Sequence, residues 1–488
     1  MAIKIILICI FFALTATIGI VSRKRVNDVS SFVLGGRGIG PWLAGFSYGT
    51  TYFSAVIFVG YAGQFGWNFG VAATWIGIAN ALIGGLLAWK ILARRTRTMT
   101  HHLNTTTMPE FFNKRYHSPA LKNVASIIIF IFLVPYTSSV YKGLSQFFEM
   151  TFHIDFVYCV IGIGILAAIY VVLGGYLAAA LNDFIQGTIM IVGIIMVVWA
   201  VLAGKGGFSE AIRQLSQVPD TNGNTGSLTS LFGPDPLALL GVVLMTSLGA
   251  WGLPQMVHKF YVIKDDRSVK IGTIISTVFC LIIAGGSYFM GSFGRLYYTS
   301  GEGGVVYDTI VPSMLSQRLT DLMIGVVLIL VLSASLSTLS SLVITSSSTV
   351  VLDLLTPNLL KLKSDKQKVL VVRLFCFVFL VLSVVIALFP NTLITTLMSL
   401  SWGAIAGSML GPFLYGLYWK KTTVASVWAS FILGVGFVVA NFFGGWLAPT
   451  LASAAAILAS LVIVPAVSLL SGKLPKDHID RVFSCYKQ

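Results

Sequence analysis

Long stretches of this chain carry almost no charge: residues 3–21, 67–89, 127–140, 157–173, 189–202 and 369–388 are nearly uninterrupted apolar runs. Each is close to the roughly 20 apolar residues that a helix needs to cross the hydrocarbon core of a bilayer. In lipid every backbone N–H and C=O must find its partner inside the protein, so such runs become helices. Read this way, the whole chain predicts about thirteen spans with short connections, an all-α polytopic membrane protein with almost no room for a soluble domain. Charged side chains make up 10% of the 488 residues, against roughly 25% in a soluble domain.

The formal net charge of +15 would also suit a nucleic-acid partner, but the basic residues gather at span ends and no aromatic-interleaved basic domain is present. With the N-terminus outside, the clusters Arg23-Lys24-Arg25, Arg94-Arg95-Arg97 with Lys114-Arg115, 259–270, 361–368, Lys420-Lys421 and 473–487 fall on one side. The positive-inside bias makes that side, and the C-terminus, cytoplasmic in a cell membrane. The first apolar run precedes its basic cluster and has no small-residue cleavage site after it, so it reads as a retained helix and not a signal peptide. Cys9, Cys159, Cys280, Cys376 and Cys485 are odd in number and scattered, which implies no disulfide framework and no metal site. The polar connections 204–236 and 300–320 read as outer loops with short surface helices. The 94–119 connection reads as a solvated loop, and its His101-His102 pair as no metal site, because adjacent residues do not share a helix face.

Asp183 is the one carboxylate that the sequence places well inside a long apolar segment, an expensive position for a charge unless it binds something. Two spans carry helix-breaking residues in mid-membrane: 42–61 contains Gly45, Ser47, Gly49, Thr50, Thr51 and Ser54, and 239–260 contains Gly249, Gly252 and Pro254. Secondary transporters use interrupted helices to free carbonyls and amides for ligands at the midplane; a glycine-lined packing face is the alternative. The densest polar run within a span is Ser333 to Ser341, where Ser337, Ser340 and Ser341 stand at i, i+3 and i+4 and share a face bordered by Thr338. Hydroxyls with unpaired carbonyls form a compact oxygen shell suited to sodium, whereas helix-to-helix hydrogen bonding needs no ion. Lys142, a cation inside 127–150, either pairs a substrate carboxylate or snorkels to the outer headgroups.

Three segments, in order and spacing, resemble the sodium:solute symporter family, which contains bacterial proline, pantothenate and sialic acid symporters and the sodium/glucose cotransporters. They are Phe32-Val33-Leu34-Gly35-Gly36-Arg37 with Gly40-Pro41, Leu173-Gly174-Gly175-Tyr176 followed by Asn182-Asp183-Phe184-Ile185-Gln186-Gly187, and Leu332-Ser333-Ala334 through Ser337-Thr338-Leu339-Ser340. The resemblance implies a single transmembrane domain, 1–488, with a leucine-transporter-type inverted-repeat fold: an extra helix at 1–22, a ten-helix core at 40–418 and two further helices at 422–472. It implies a main sodium site made by the carbonyls of Thr50, Phe53 and Ala334 and the hydroxyls of Ser337 and Thr338. Some members have a second sodium site, whose positions here would be Asp183, Ser337, Ser340 and Ser341.

For the solute, Ser54 and Tyr136 match family positions that face substrate, Lys142 would pair an anionic group, and Trp251 is the aromatic nearest the sixth core helix's substrate positions. The proline branch carries an aspartate where this chain has Tyr52, and aromatics where it has Thr246 and Ala250. Sugar transporters carry a glutamine where it has Ile57, and 249–255 is nearer to a pantothenate-type pattern. The expected function is sodium-coupled symport of a small polar or anionic organic solute (an amino acid, a carboxylate or a vitamin-like molecule) into the cell, with Na+, the solute and the bilayer as its partners and no protein or nucleic acid required. Proton-coupled symport through Asp183 and a transporter-like membrane sensor are the alternatives. Asp183 and Lys142 make no catalytic set, so no enzyme is expected.

Overall fold

The computed structural model describes residues 2–23, 28–298, 304–317, 319–356, 364–389 and 393–486. Apart from an isolated bridge between Ile39 and Ile263, the described residues form helices and their connections. Eleven of the helices are long and apolar enough to cross a membrane, against the thirteen expected. The difference lies in two places. Pro41–Tyr52 stops after 12 residues, in mid-span, and the apolar Phe156–Ile165 stretch is the first part of a 48-residue helix, Phe156–Ala203, bent at Gly175. Gly175 sits at φ 63°, ψ −175°, a region open essentially to glycine alone, and a Cβ there would lie 3.1 Å from the Phe32 ring.

Both interruptions foreseen in the sequence are present. Phe53 leaves the first helix in an extended conformation, φ −113°, ψ 116°, and the chain resumes as a wide-turned segment, Val56–Tyr61. The second broken helix runs Pro236–Gly249, unwinds through Ala250 to Leu253 and restarts at Pro254–Tyr261. Proline suits that restart because the first turn of a helix has no internal acceptor for the N–H it lacks. The serine-rich segment lies on an unbroken helix, Asp321–Thr349, buried along its serine run.

The 94–119 connection is not a solvated loop; it forms helices Arg94–His102 and Met108–Tyr116. Thr107 Oγ1 accepts the Glu110 N–H at 3.2 Å and Glu110 Oε2 accepts the Thr106 N–H at 2.7 Å, a reciprocal cap that starts the second of them. The C-terminal helix Lys476–Phe483 packs on this unit, with the Arg115 guanidinium over the Phe483 ring at 4.9 Å and the Tyr486 hydroxyl donating to the Arg95 carbonyl at 2.9 Å. The other terminus is held at the start of the serine-rich helix, where Lys4 pairs with Asp321 at 2.9 Å. The connections on that side carry short helices, Phe208–Ser216 and Ile310–Ser316.

Close helix crossings rest on small residues, as membrane packing favours. A Cβ on Gly291 would meet the Ala62 carbonyl oxygen at 2.1 Å, whereas one on Gly285, on the same helix, would meet nothing within 4 Å. Gly291→Ala is therefore expected to lower the apparent melting temperature in detergent, by the equivalent of about 1 to 3 kcal/mol for overpacking. Gly285→Ala should leave it unchanged or raise it, by up to ~1 kcal/mol of helix propensity. Equal shifts in a fluorescence melting assay would show that the Ala62–Gly291 crossing is not tight.

Candidate functional site

At the first break the helical ladder skips two carbonyls. The N–H groups of Val56 and Ile57, whose helical acceptors would be the Tyr52 and Phe53 carbonyls, bond instead to Ser54 Oγ at 3.2 Å and Ser54 O at 3.0 Å. The serine-rich helix faces this break. Thr338 Oγ1 lies 3.4 Å from Thr50 O, 3.3 Å from Thr51 O and 3.1 Å from Ala334 O. Four oxygens from two helices thus converge at one buried point, with Phe53 and Ala334 lining a small space beside it.

One turn further along, Asp183 is fully buried between three helices. Ser337 Oγ donates to its Oδ1 at 2.6 Å and Ser47 Oγ donates to its Oδ2. The third partner is a residue that the sequence reading assigned to a cytoplasmic basic cluster. Lys259, on the restarted half of the second broken helix, is buried and places Nζ 3.7 Å from Asp183 Oδ2. The same ammonium donates to Ser47 Oγ at 2.8 Å and Ser341 Oγ at 3.0 Å, and Ser341 Oγ exchanges a hydrogen bond with Thr51 Oγ1 at 2.9 Å. Ser340 Oγ turns back to the Ser337 carbonyl at 2.9 Å. The candidate ion-site residues Thr50, Phe53, Ala334, Ser337, Thr338, Asp183 and Ser341 are therefore brought together, and a cation of the protein's own stands among them. The signal for Lys259 was in the sequence: apart from His258 it is flanked by Met256-Val257 and by Phe260 to Ile263, a more apolar setting than that of Lys264, Arg267 and Lys270. Asp353 is a second buried carboxylate inside a span, missed because it lies near the end of its helix; Thr107 Oγ1 donates to it at 2.5 Å.

The candidate solute residues spread further. Ser54 lines the small space beside the break together with Phe53, Ile57, Phe58, Ser287 and Ala334; its volume is about 10 Å³, room for one water at most. Tyr136 is buried against Trp402, ring centroids 5.9 Å apart, and Trp402 in turn stacks with Tyr52 at 6.1 Å. Tyr52 donates to the Thr246 carbonyl at 2.6 Å, and Asn80 Oδ1 accepts from Thr246 at 2.8 Å and Ser247 at 3.0 Å. Trp402 Nε1, Asn80 Nδ2 and the Tyr288 hydroxyl are buried polar groups, the indole beside the Tyr136 hydroxyl and the amide beside the Tyr288 hydroxyl; none of the three stood out in the sequence, because single aromatic or amide side chains in spans look like packing. Trp251 is committed to the Ile83 carbonyl at 3.0 Å. Lys142 lies apart from that space, with its ammonium on the Phe389 carbonyl and its charge acting on Asp308. A larger groove of about 520 Å³ lined by Ile194, Ile195, Val198, Trp199 and Phe289 is apolar, and its Trp199 is 66% exposed; it lies on the outer apolar surface, where lipid is the natural neighbour.

A multi-pass helical protein with two helices broken at mid-membrane, the first break packed against a third helix's hydroxyls, has the architecture of a secondary transporter. Comparison bears this out. The sequence model of the sodium:solute symporter family matches residues 32–434. The osmoregulated proline transporter OpuE of Bacillus subtilis is 30% identical over 446 residues, covering 90% of this chain and 89% of that protein. The sodium/proline symporter of Salmonella typhimurium is 28% identical over 453 residues, covering 90% and 88%. Among solved structures, a sodium-coupled sialic acid symporter in a substrate-bound outward-open state superposes with a TM-score of 0.80 at 19% identity, over 97% of this chain and 99% of that one. Mhp1, a nucleobase-cation-symport-1 family transporter in a closed conformation, gives 0.55 at 14% identity, over 92% and 97%. The fold is of the leucine-transporter type. The chain belongs to the sodium:solute symporter family, and its activity is sodium-coupled symport of a small organic solute.

Asp308, on the short segment Tyr307–Thr309 outside the spans, ties that segment to the helix beginning at Ile394. Its Oδ2 accepts the Ile394 N–H at 3.3 Å. Burial pushes the carboxyl up to about 6, opposed by that N–H and by the Lys142 ammonium. The folded protein therefore holds this proton more tightly than the unfolded chain, whose ordinary value is about 3.9. The resulting stabilisation is fully present below about pH 4 and is lost as pH rises through about 6. Melting temperatures in detergent from pH 4 to 7 should carry this slope in the wild type and lose it in Asp308→Asn; identical slopes would exclude the residue as its source.

Proposed function

We propose that the break at Phe53 is the site of the coupling sodium, held by the carbonyls of Thr50, Phe53 and Ala334 and the hydroxyls of Ser337 and Thr338. The observation that carries this reading is the position of Thr338 Oγ1, within 3.4 Å of carbonyls on both helices. An ion there joins two helices that at this point meet through hydrogen bonds of 3.3 to 3.4 Å. A serine hydroxyl has one donor and two lone pairs, so Ser337, which spends its proton on Asp183, keeps its lone pairs for a cation. Asp183 then orients the hydroxyl and supplies negative charge without touching the ion. Sodium flowing down its gradient drives uptake of the solute into the cell by alternating access about this midplane site.

The solute is a small polar or anionic molecule, an amino acid, carboxylate or vitamin-like compound. Relatives named as proline transporters support an amino-acid-like solute. Tyr52, where the proline branch of the family has an aspartate, argues for a different set of contacts: its hydroxyl is bound to Thr246 and its ring lies on Phe53 and Trp402. Ser54, Tyr136, Trp402 and Asn80 are then the groups that recognise the solute, polar side chains gathered around Tyr52 and the first break. The protein is oriented with its C-terminus, packed on the basic 94–116 unit, on the cytoplasmic side and its N-terminus outside, as the charge bias favours.

Uptake into proteoliposomes of a panel of amino acids, monocarboxylates, pantothenate, sialic acid and sugars tests the reading; at least one solute should accumulate only with an inward sodium gradient. Uptake driven by a pH gradient without sodium would replace sodium by protons. Ser337→Ala with Thr338→Ala should raise the sodium concentration for half-maximal uptake at least tenfold, since losing two of the ion's ligands costs upwards of about 1.4 kcal/mol, with expression unchanged. Unaltered sodium dependence would reduce these hydroxyls to helix packing.

A further inference from the structure

Lys259 is the charged group that the sodium site leaves unexplained. Its ammonium has three hydrogens to donate, and the structure gives it three oxygen partners: Ser47 Oγ at 2.8 Å, Ser341 Oγ at 3.0 Å and Asp183 Oδ2 at 3.7 Å. The Tyr176 ring lies beneath it at 5.1 Å, a further favourable contact for a cation. Asp183 and Ser341 are two of the four residues that would have to hold a second sodium, and a third, Ser337, is bonded to the same carboxylate. An oxygen cage of this size accommodates one cation. A sodium placed among these oxygens would have to displace the ammonium or sit against it, and like charges at such distance repel strongly in a buried site.

We infer that Lys259 is a tethered cation that fills the second cation position, so that this transporter couples solute movement to a single sodium ion. The inference deepens the proposed sodium reading and rests on it. A covalently held ammonium neutralises Asp183 in every step of the cycle, where a free second sodium would neutralise it only when bound. It also joins the restarted half of the second broken helix to the first broken helix through Ser47 and to the serine-rich helix through Ser341. The two interruptions are thus linked by a cation that stays, beside a site for one that leaves.

Equilibrium binding of radioactive sodium to the purified full-length protein in detergent tests this directly. The wild type is expected to bind one sodium per chain. Lys259→Ala should bind two, because Asp183, Ser337 and Ser341 are then left without their cation, and Lys259→Ala combined with Asp183→Asn should return to one. Lys259→Met, which keeps the apolar stem, carries the same expectation of two should the alanine variant fail to fold. Two sodium ions on the wild type, or an unchanged count of one in a folded Lys259→Ala or Lys259→Met protein, would overturn the inference while leaving the main site intact. A wild type that binds no sodium would overturn the sodium reading itself, and this inference with it.

Discussion

A helix that breaks in the middle of a bilayer releases carbonyls that no water can satisfy, and each bare group costs several kcal/mol. The site around Phe53 follows from that constraint. The freed backbone must be enclosed by other parts of the protein, which requires polar neighbours at the break itself, while Gly45 and Gly49 of the same helix pack on Ile275 and Phe279. The serine-rich helix provides them, and its hydroxyls do double service because a serine or threonine can satisfy its own proton locally and still present lone pairs. Thr338 turned to Ala334 and the Thr50 carbonyl, and Ser337 turned to Asp183, are two versions of the same device.

Asp183 extends this logic from dipoles to charge. A carboxylate this deep survives as a charge only with partners that replace hydration, and its three partners come from three different helices. Any rearrangement that separates those helices exposes or strips the carboxylate, so the group acts as a constraint on which helices can part company during transport. The small space beside the break, about 10 Å³, is too small for an organic solute. Loading therefore requires helices around it to move.

Much of this was legible in the chain before any coordinates. Apolar length gave the spans, because lipid imposes one secondary structure on them, and glycine, serine and proline in mid-span located both interruptions. The serine run and Asp183 stood out because polar side chains are costly there. What escaped the sequence did so for identifiable reasons. Lys259 sits five residues before Lys264 and so merged into a charge cluster, although the break at Trp251 to Leu253 sets its half-helix back into the core. The 94–119 connection looked solvated because it is rich in polar residues, but its helices are held by their caps, by the C-terminal helix and by Phe111 and Phe112 packed on Phe413 and Phe431 of the membrane helices. The segments 42–61 and 157–173 counted as full spans by hydropathy, which is blind to where a helix stops or bends.

The solute side of the site was the least legible, and the structure shows why. Recognition of an organic molecule needs a few correctly placed donors and acceptors amid apolar surface, and such groups leave no pattern in a sequence. Tyr52 is the instructive case. As a substitution for an acidic position it read as a missing contact, yet in the fold it is an organising one, with its hydroxyl fixing the second broken helix at Thr246 and its ring bridging Phe53 and Trp402. A residue that binds the Thr246 carbonyl and stacks on Phe53 links the two interruptions at one point, as Lys259 does at another. In the proposed arrangement, ion and solute both bear on the two broken helices through these few side chains, which gives each ligand a route to the contacts of the other.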